Sequence, residues 1–299
     1  MRDIDQYSIS EFLSLTPVKH LLKQWRNDVV LRLYLQKEAE SEAAFIEQYQ
    51  LLSNKKVYVV IAFEQVQVLE WLLFMAQQHI RDATMMVFDN SIRGSCREAI
   101  KKLCQQQAVP YLALPLNLTR HVNRSHGMAM TWVYERIIKR IEPNIFCFLD
   151  HDMVPVAPVD LALSMKDQNL YGLPNVSDWG WNLWAGYSMF KYQDIQNHQV
   201  NFLYDFANGL DTGGRNWRYL YQQYPYESLR FAESKNVETV LQFNNANITV
   251  QIIDDQWMHI GGVSYNNNYA SKADCIKVVM DALYNGMTWV ELRSSRASL

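Results

Sequence analysis

The 299-residue sequence predicts an α/β protein: a mainly parallel sheet flanked by helices, preceded by an N-terminal helical extension. Three observations lead there. Between about residues 55 and 155, short β-branched apolar runs alternate with stretches of helical periodicity. Those runs are apolar on both faces, as strands covered on two sides are. Acids stand where two of them stop, Asp89 in one and Asp150 with Asp152 in another. In open α/β sheets that carboxyl edge is where ligands bind.

Residues 8 to about 52 read as helix. Ser8 and Glu11 fit a capping box, and Thr16-Pro17 fits an N-cap followed by proline at the first helical position. Leu21, Leu22, Trp25, Val29, Leu33 and Leu35 then recur at helical spacing. Residues 1–54 are expected to form an amphipathic extension packed through that stripe on a body of residues 55–299. The same stripe also suits peripheral contact with a membrane or a partner, with packing on the body as the preferred use.

The body opens with "KKVYVVIAFEQV", a strand ending near Phe63 and Glu64, followed by a helix from Val68 to His79. "ATMMVFDNS" is a second buried strand ending at Asp89, "CREAIKKLCQQQ" a helix and "VPYLALPLN" a third strand. "GMAMTWVYERIIKRI" is a helix leading into "NIFCFLDHD", the fourth strand. Along that strand, alternation points Asp150 and Asp152 to one face and His151 to the other. Two carboxylates so close require a positive group between them or a proton on one. The second half is less regular and rich in Trp and Tyr: "SDWGWNLWAGYSMFK", "LDTGGRNWRYLYQQYPYE" and "IIDDQWMHIGGVSYNNN". Its aromatics suit either a strand-rich layer completing the core or exposed faces that stack on sugar rings.

Composition narrows the function classes. Against 28 Lys and Arg stand 31 Asp and Glu, a net charge of −3, which argues against a broad nucleic-acid surface. No apolar run approaches the roughly 20 residues of a membrane span. "MRDIDQYSIS" lacks the apolar centre of a signal peptide, so a cytoplasmic location is expected. Cys96, Cys104, Cys147 and Cys275 form no Cys-x-x-Cys pair and read as reduced thiols. The sequons at Asn117, Asn123, Asn175 and Asn247 read as chance matches.

The ordered features resemble a nucleotide-sugar-dependent glycosyltransferase of the GT-A type, Rossmann-like and family-two-like, over about residues 55 to 268. "VVIAFEQV" resembles its opening strand, and "MMVFDNS" the second strand, whose terminal Asp89 would contact the donor nucleoside. "NRSHGMAMTWVYERI" resembles the helix before the metal motif and offers His126 to the donor. "FLDHDMVP" resembles the Asp-x-Asp motif itself, with Asp150 and Asp152. "LWAGYSMFK" resembles the strand near the donor sugar, at Gly186. "LDTGGR" resembles the stretch that offers an acid, Asp211, to the acceptor beside Gly213. "WMHIGGVSY" resembles a late segment carrying His259. Residues of about 55–155 would then be the donor half and about 156–285 the acceptor half.

The chemistry fits such a motif. A nucleoside diphosphate is a highly charged leaving group, and a divalent cation bridging its phosphates offsets that charge. Carboxylate ligands suit Mg²⁺ or Mn²⁺, and an imidazole from His259 favours Mn²⁺. The expected metal ligands are Asp150, Asp152 and His259. Asp150 also serves the donor, and His151 is expected to be structural. An acid must take the acceptor's proton in an inverting transfer; Asp211 is the first choice and Asp178 the reserve. Trp179, Trp181 and Trp184 would give the carbohydrate-containing acceptor its stacking faces. Two other classes share parts of this pattern. In a haloacid-dehalogenase-like phosphatase Asp150 would be the nucleophile, with Asp254 and Asp255 as the later acidic pair. A non-catalytic carbohydrate-binding protein would keep the tryptophans and lose the chemistry.

Overall fold

A computed structural model describes residues 2–262 and 272–293. Its centre is a six-stranded sheet in the order β3-β2-β1-β4-β7-β6. The strands are β1 (Lys56–Ala62), β2 (Thr84–Asp89), β3 (Tyr111–Ala113), β4 (Ile145–Asp150), β6 (Leu170–Ser177) and β7 (Gly180–Lys191). β1 to β4 are mutually parallel; β7 runs against both β4 and β6. Parallel neighbours need long crossovers. Helices α4 (Val66–His79), α5 (Gly94–Gln106) and α6 (Val122–Val133) supply them, α6 continuing through a π-helical segment (Tyr134–Ile138) and a last turn (Lys139–Ile141). The expected α/β class and mainly parallel sheet are observed.

Alternation along β1 explains the two-sided burial. Val57, Val59 and Ile61 enter one core with Trp132 of α6. Tyr58, Val60 and Ala62 enter the opposite core with Leu69, Leu72 and Leu73 of α4. The aromatic second half adds an antiparallel sheet, β5-β10-β9-β8, built from β5 (Met153–Pro155), β8 (Ser234–Phe243), β9 (Ala246–Ile253) and β10 (Trp257–His259). It packs in a third core with Val68, Trp71 and Met75 of α4 and with a late helix, Ala273–Tyr284.

The N-terminal segment holds α1 (Ile9–Leu13), α2 (Thr16–Leu35) and α3 (Glu42–Tyr49). The Ser8–Glu11 capping box is present, with Glu11 N–H donating to Ser8 Oγ at 3.3 Å. The second cap differs from expectation. Thr16 is already helical, and Leu15 holds the cap position at φ 55° with no side-chain cap. Thr16 Oγ1 is engaged instead by Ser14 Oγ at 2.8 Å. The packing stripe of α2 also differs. Leu31 and Tyr34 join the main core and Asn27 is buried, whereas Leu21, Leu22, Trp25 and Leu33 lie exposed on the other side. Helical spacing shows that the stripe exists but not which way it faces.

Among the described residues no helix is long and apolar enough to cross a membrane.

Candidate functional site

The site forms where the two sheets meet. β4 ends at Asp150, the chain turns through His151 and Asp152, and β5 enters the second sheet. There Met153 pairs with His259 of β10, and Ile260 N–H donates to the Asp152 carbonyl at 3.0 Å. This register sets the His259 imidazole beside Asp152, with Nε2 3.7 Å from Oδ2. Asp152 Oδ2 also accepts from Gly261 N–H at 3.1 Å. His259 Nδ1 lies 2.7 Å from Gln251 Oε1. With that oxygen as acceptor, Nδ1 carries the proton and the Nε2 lone pair faces the Asp152 carboxylate. A lone pair and a carboxylate facing each other favour a cation between them. The pair therefore fits a divalent cation that accepts mixed oxygen and nitrogen donors. Among the described residues no cluster of three His, Cys, Asp or Glu side chains forms a metal cage on its own.

Asp150 has a different partner. His126 of α6 brings Nε2 to 3.3 Å from Asp150 Oδ1. About a quarter of each side chain, 23% and 26%, remains exposed, yet both sit at the floor of a cleft. Burial, and then the Asp152 charge, raises Asp150 to a pKa of about 7. Burial lowers His126 to about 4. At neutral pH the imidazole is uncharged, and Asp150 is close to half protonated. One carboxyl of the adjacent pair thus holds a proton part of the time, the second of the two remedies expected for it. Gly186 of β7 makes room here: a Cβ would fall 2.6 Å from Asp150 Oδ2 and 2.3 Å from the Trp184 ring. His151 was expected to face away but also borders the cleft, because strand alternation stops at Asp150.

The cleft, about 230 Å³, is bounded by the aspartates, His126, Trp184, Asp211 and His259. Trp184 meets the His259 ring edge-on at 4.8 Å. Across from them, Asp211 Oδ1 accepts from Asn123 Nδ2 and, at 2.7 Å, from Thr212 N–H. These bonds fall on Oδ1. Two further recesses share walls with this centre. One, about 100 Å³, shares Ile61, Phe63, Val122 and His126 and adds Asn90, Ile92 and Ser125. The other, about 270 Å³, shares Trp184, Asp211 and His259 and adds Asn175 and Gln251.

Other expected residues are placed differently. Asp89 is 0% exposed, and its carboxylate is closed by Ser91 N–H at 2.8 Å and Tyr111 Oη–H at 3.0 Å. It organises the turn after β2 and offers no free oxygen to a nucleoside. Its neighbour Asn90 is the residue that sequence reading missed. It is buried, its Nδ2 donates to Ser125 Oγ at 3.1 Å, and its Oδ1 has no partner on the wall of the small recess. A polar residue just past a strand end was the available signal.

Trp181, 4% exposed, is core: it packs on Tyr221 at 4.9 Å and Phe231 at 5.4 Å and has no face for an acceptor. Along β7, Trp181 and Trp184 are three apart and so point to opposite faces. Asp178 and Trp179 sit in the β6–β7 turn, outside the residues that line the cleft, and Trp179 lies under the Arg2 guanidinium. Gly213, at φ 90°, packs against Leu183 and Asn182 behind the cleft wall. Of the late segment, Val263, Ser264 and Tyr265 lie outside the described residues. Lys272, also missed, donates to the Ile260 carbonyl, and its ammonium feels the Asp152 charge.

A larger cavity, about 770 Å³, lies elsewhere, lined by Tyr171, Arg230, Lys235, Asp254 and Asp255 among others. Its adjacent aspartates are already engaged. Asp254 accepts from Tyr171, Tyr187 and Glu233 N–H, and Asp255 pairs with Lys235. Asp254 and Asp255 therefore share no cavity with Asp150.

No known family's sequence pattern matches the chain, and no curated protein matches it. Solved structures do. A mannosyltransferase from Pyrobaculum calidifontis, PcManGT, in complex with GDP-Man and Mn²⁺, is similar at 13% identity and a TM-score of 0.35, over 59% of this chain and 53% of that one. The galactosyltransferase LgtC, in complex with donor and acceptor sugar analogs, is similar at 16% identity and a TM-score of 0.34, over 48% of this chain and 60% of that one. The chain thus spans between half and three fifths of the length of these two proteins.

Proposed function

We propose that this chain is a metal-dependent glycosyltransferase. It moves a sugar from a nucleotide-diphosphate donor, a UDP-sugar in the first instance, to a glycan, lipid-linked or protein acceptor. The observation that carries the reading is the Asp152–His259 pair, a carboxylate and an imidazole nitrogen facing each other at 3.7 Å on the floor of a three-part cleft.

Each compartment receives a part of the reaction. The recess beside Phe63 and Ile92 takes the nucleobase, where Asn90 Oδ1 accepts a base N–H and so gains the partner it lacks. Asp152 and His259 would hold Mn²⁺ or Mg²⁺, with Asp150 joining as it loses its proton. The cation's contribution is to offset charge on the leaving diphosphate. Lys272 adds a second positive charge near those phosphates. The donor sugar lies in the central cleft, beneath Trp184. The acceptor enters from the recess shared by Trp184, Asp211 and His259. Asp211 takes the proton of the attacking hydroxyl on Oδ2, while Asn123 and Thr212 hold Oδ1 and fix the carboxylate's direction.

The phosphatase alternative fits less well. Asp254, which would be its later acid, is engaged by Tyr171 and Tyr187 in another cavity.

Calorimetric titration of UDP with and without Mn²⁺ tests the reading. Binding is expected to need the metal. Asp152→Ala should weaken metal-dependent binding about a hundredfold, and His259→Ala less. Asp211→Asn should keep donor binding and lose about 10²–10⁴-fold in transfer. UDP binding that ignores Mn²⁺ in the wild type would remove the metal. Release of inorganic phosphate, in place of a nucleoside diphosphate, would remove the transferase.

A further inference from the structure

The outer face of α2 is apolar and basic at once. Val18, Leu21, Leu22, Trp25 and Leu33 are each between 51 and 65% exposed. At about 100° per residue, Val18, Leu22, Trp25, Val29 and Leu33 form one stripe, opposite the buried Asn27, Leu31 and Tyr34. Ile9 and Leu13 of α1 extend the apolar surface, at 81 and 83% exposed. Exposed Lys19 and Arg26 flank the stripe on one side and exposed Arg32 on the other. Thr16–Leu35 contains four basic residues and one acid, in a chain whose net charge is −3. The acid, Asp28, is taken up by Arg215 of the body at 3.1 Å.

We propose that α1 and α2 form a docking surface for an anionic lipid bilayer. A helix of this pattern lies in the plane of the interface, its apolar stripe among the acyl chains and its flanking lysine and arginines at the headgroups. Trp25 is the side-chain type that settles at that boundary. Charge decides between this and a second copy of the chain. Two copies joined through the same stripes would bring Lys19, Arg26 and Arg32 against their own images, whereas anionic headgroups complement them. The docked helix is tied to the rim of the cleft. Asn27 Nδ2 donates to Tyr204 Oη at 3.3 Å, and Arg124 of α6, which stands between the cleft residues Asn123 and His126 in sequence, donates to Asn27 Oδ1 at 3.4 Å. Docking itself does not depend on the reaction proposed for the cleft.

Co-sedimentation of the full chain with vesicles is the test. The protein should pellet with an equal mixture of phosphatidylcholine and phosphatidylglycerol and stay in solution with phosphatidylcholine alone. Lys19→Gln with Arg26→Gln should weaken binding about thirtyfold. Leu22→Ser with Trp25→Ser should weaken it about a hundredfold. All four side chains are exposed, so thermal unfolding and UDP binding should stay as in the wild type. Equal binding to both vesicles, no binding to either, or binding that both double variants retain would each overturn the proposal. So would a dimeric mass by light scattering that Trp25→Ser returns to one copy, because the stripe's occupant would then be a second chain.

Discussion

The carboxyl edges of β2 and β4 look alike in sequence and do opposite things in space. Each strand is apolar to its last residue and stops at an aspartate, Asp89 or Asp150. At the β2 edge the carboxylate meets Ser91 N–H and Tyr111 Oη–H and is sealed. At the β4 edge the carboxyl meets a neutral imidazole and a second aspartate, and its pKa rises to about 7. A strand end sets where an acid stands; its neighbours decide whether it is sealed in the interior or left open to the cleft. β3 offers Tyr111 to the first. The turn into β5, which brings a second sheet alongside, offers His259 and Asp152 to the second. The same division runs inside β7, where Trp181 is sealed and Trp184 is open to the cleft.

The tryptophans give the largest expected effect. Trp181→Ala should destabilise the protein by about 3–5 kcal/mol, because it empties a fully packed aromatic cluster. Trp184→Ala should change stability much less. In the proposed transfer it should raise the acceptor KM about tenfold through loss of a stacking face. Thermal unfolding of both variants and transfer kinetics of the second provide the check. Equal losses of stability would erase the distinction drawn along β7.

The strand ends come next. Asp89→Ala should cost about 2–4 kcal/mol, because it removes the interior acceptor of both the Ser91 N–H and the Tyr111 hydroxyl. Well below its lowered melting temperature, this variant should still bind UDP with Mn²⁺. Asn90→Ala, one residue on, should lose about tenfold in UDP affinity. If Asp89→Ala folds normally but loses the nucleotide, the β2 edge is open after all and Asp89 returns to the donor site.

These contrasts show what the sequence could convey. β1 to β4 were legible because an apolar run and the helix after it are local patterns, and the helical crossovers imply parallel strands; their order in the sheet was not. That Asp150 and Asp152 stand at a strand end was legible for the same reason. The sealing of Asp89 was not, since Tyr111 lies 22 residues away and reaches it only through the β2–β3 pairing. The His126–Asp150 contact spans 24 positions and two elements. The direction of the α2 stripe was hidden because helical spacing is the same whichever side meets the body. The turn after Asp150 misled in its own way: alternation placed His151 on the far face, but the strand had already ended.

The smallest effect is a slope, and it probes the β4 edge most directly. In metal-free buffer between about pH 4 and 6.5, the folded Asp150–His126 pair holds one proton, on Asp150, because Asp150 titrates at about 7 and His126 at about 4. The unfolded pair also holds one proton over that range, on the histidine, with ordinary values of about 3.9 and 6.5. Proton counts match, so the pair adds no pH dependence to stability. Removing either partner exposes the other. In His126→Gln the folded state keeps a proton that the unfolded aspartate has lost. Stability should therefore fall as pH rises from about 4 to 7, by at most about 1.4 kcal/mol per pH unit, and level off above. In Asp150→Asn the unfolded histidine holds a proton that the folded one lacks. Stability should rise with pH from about 4 to 6.5 with the opposite slope and then level off. Because both side chains keep some exposure, the measured slopes should fall below that ceiling. Urea unfolding of the two variants across this range, each taken as a difference from the wild type, reads the slopes directly. Slopes of the same sign would mean that the two groups do not divide their proton in this way across the 3.3 Å contact.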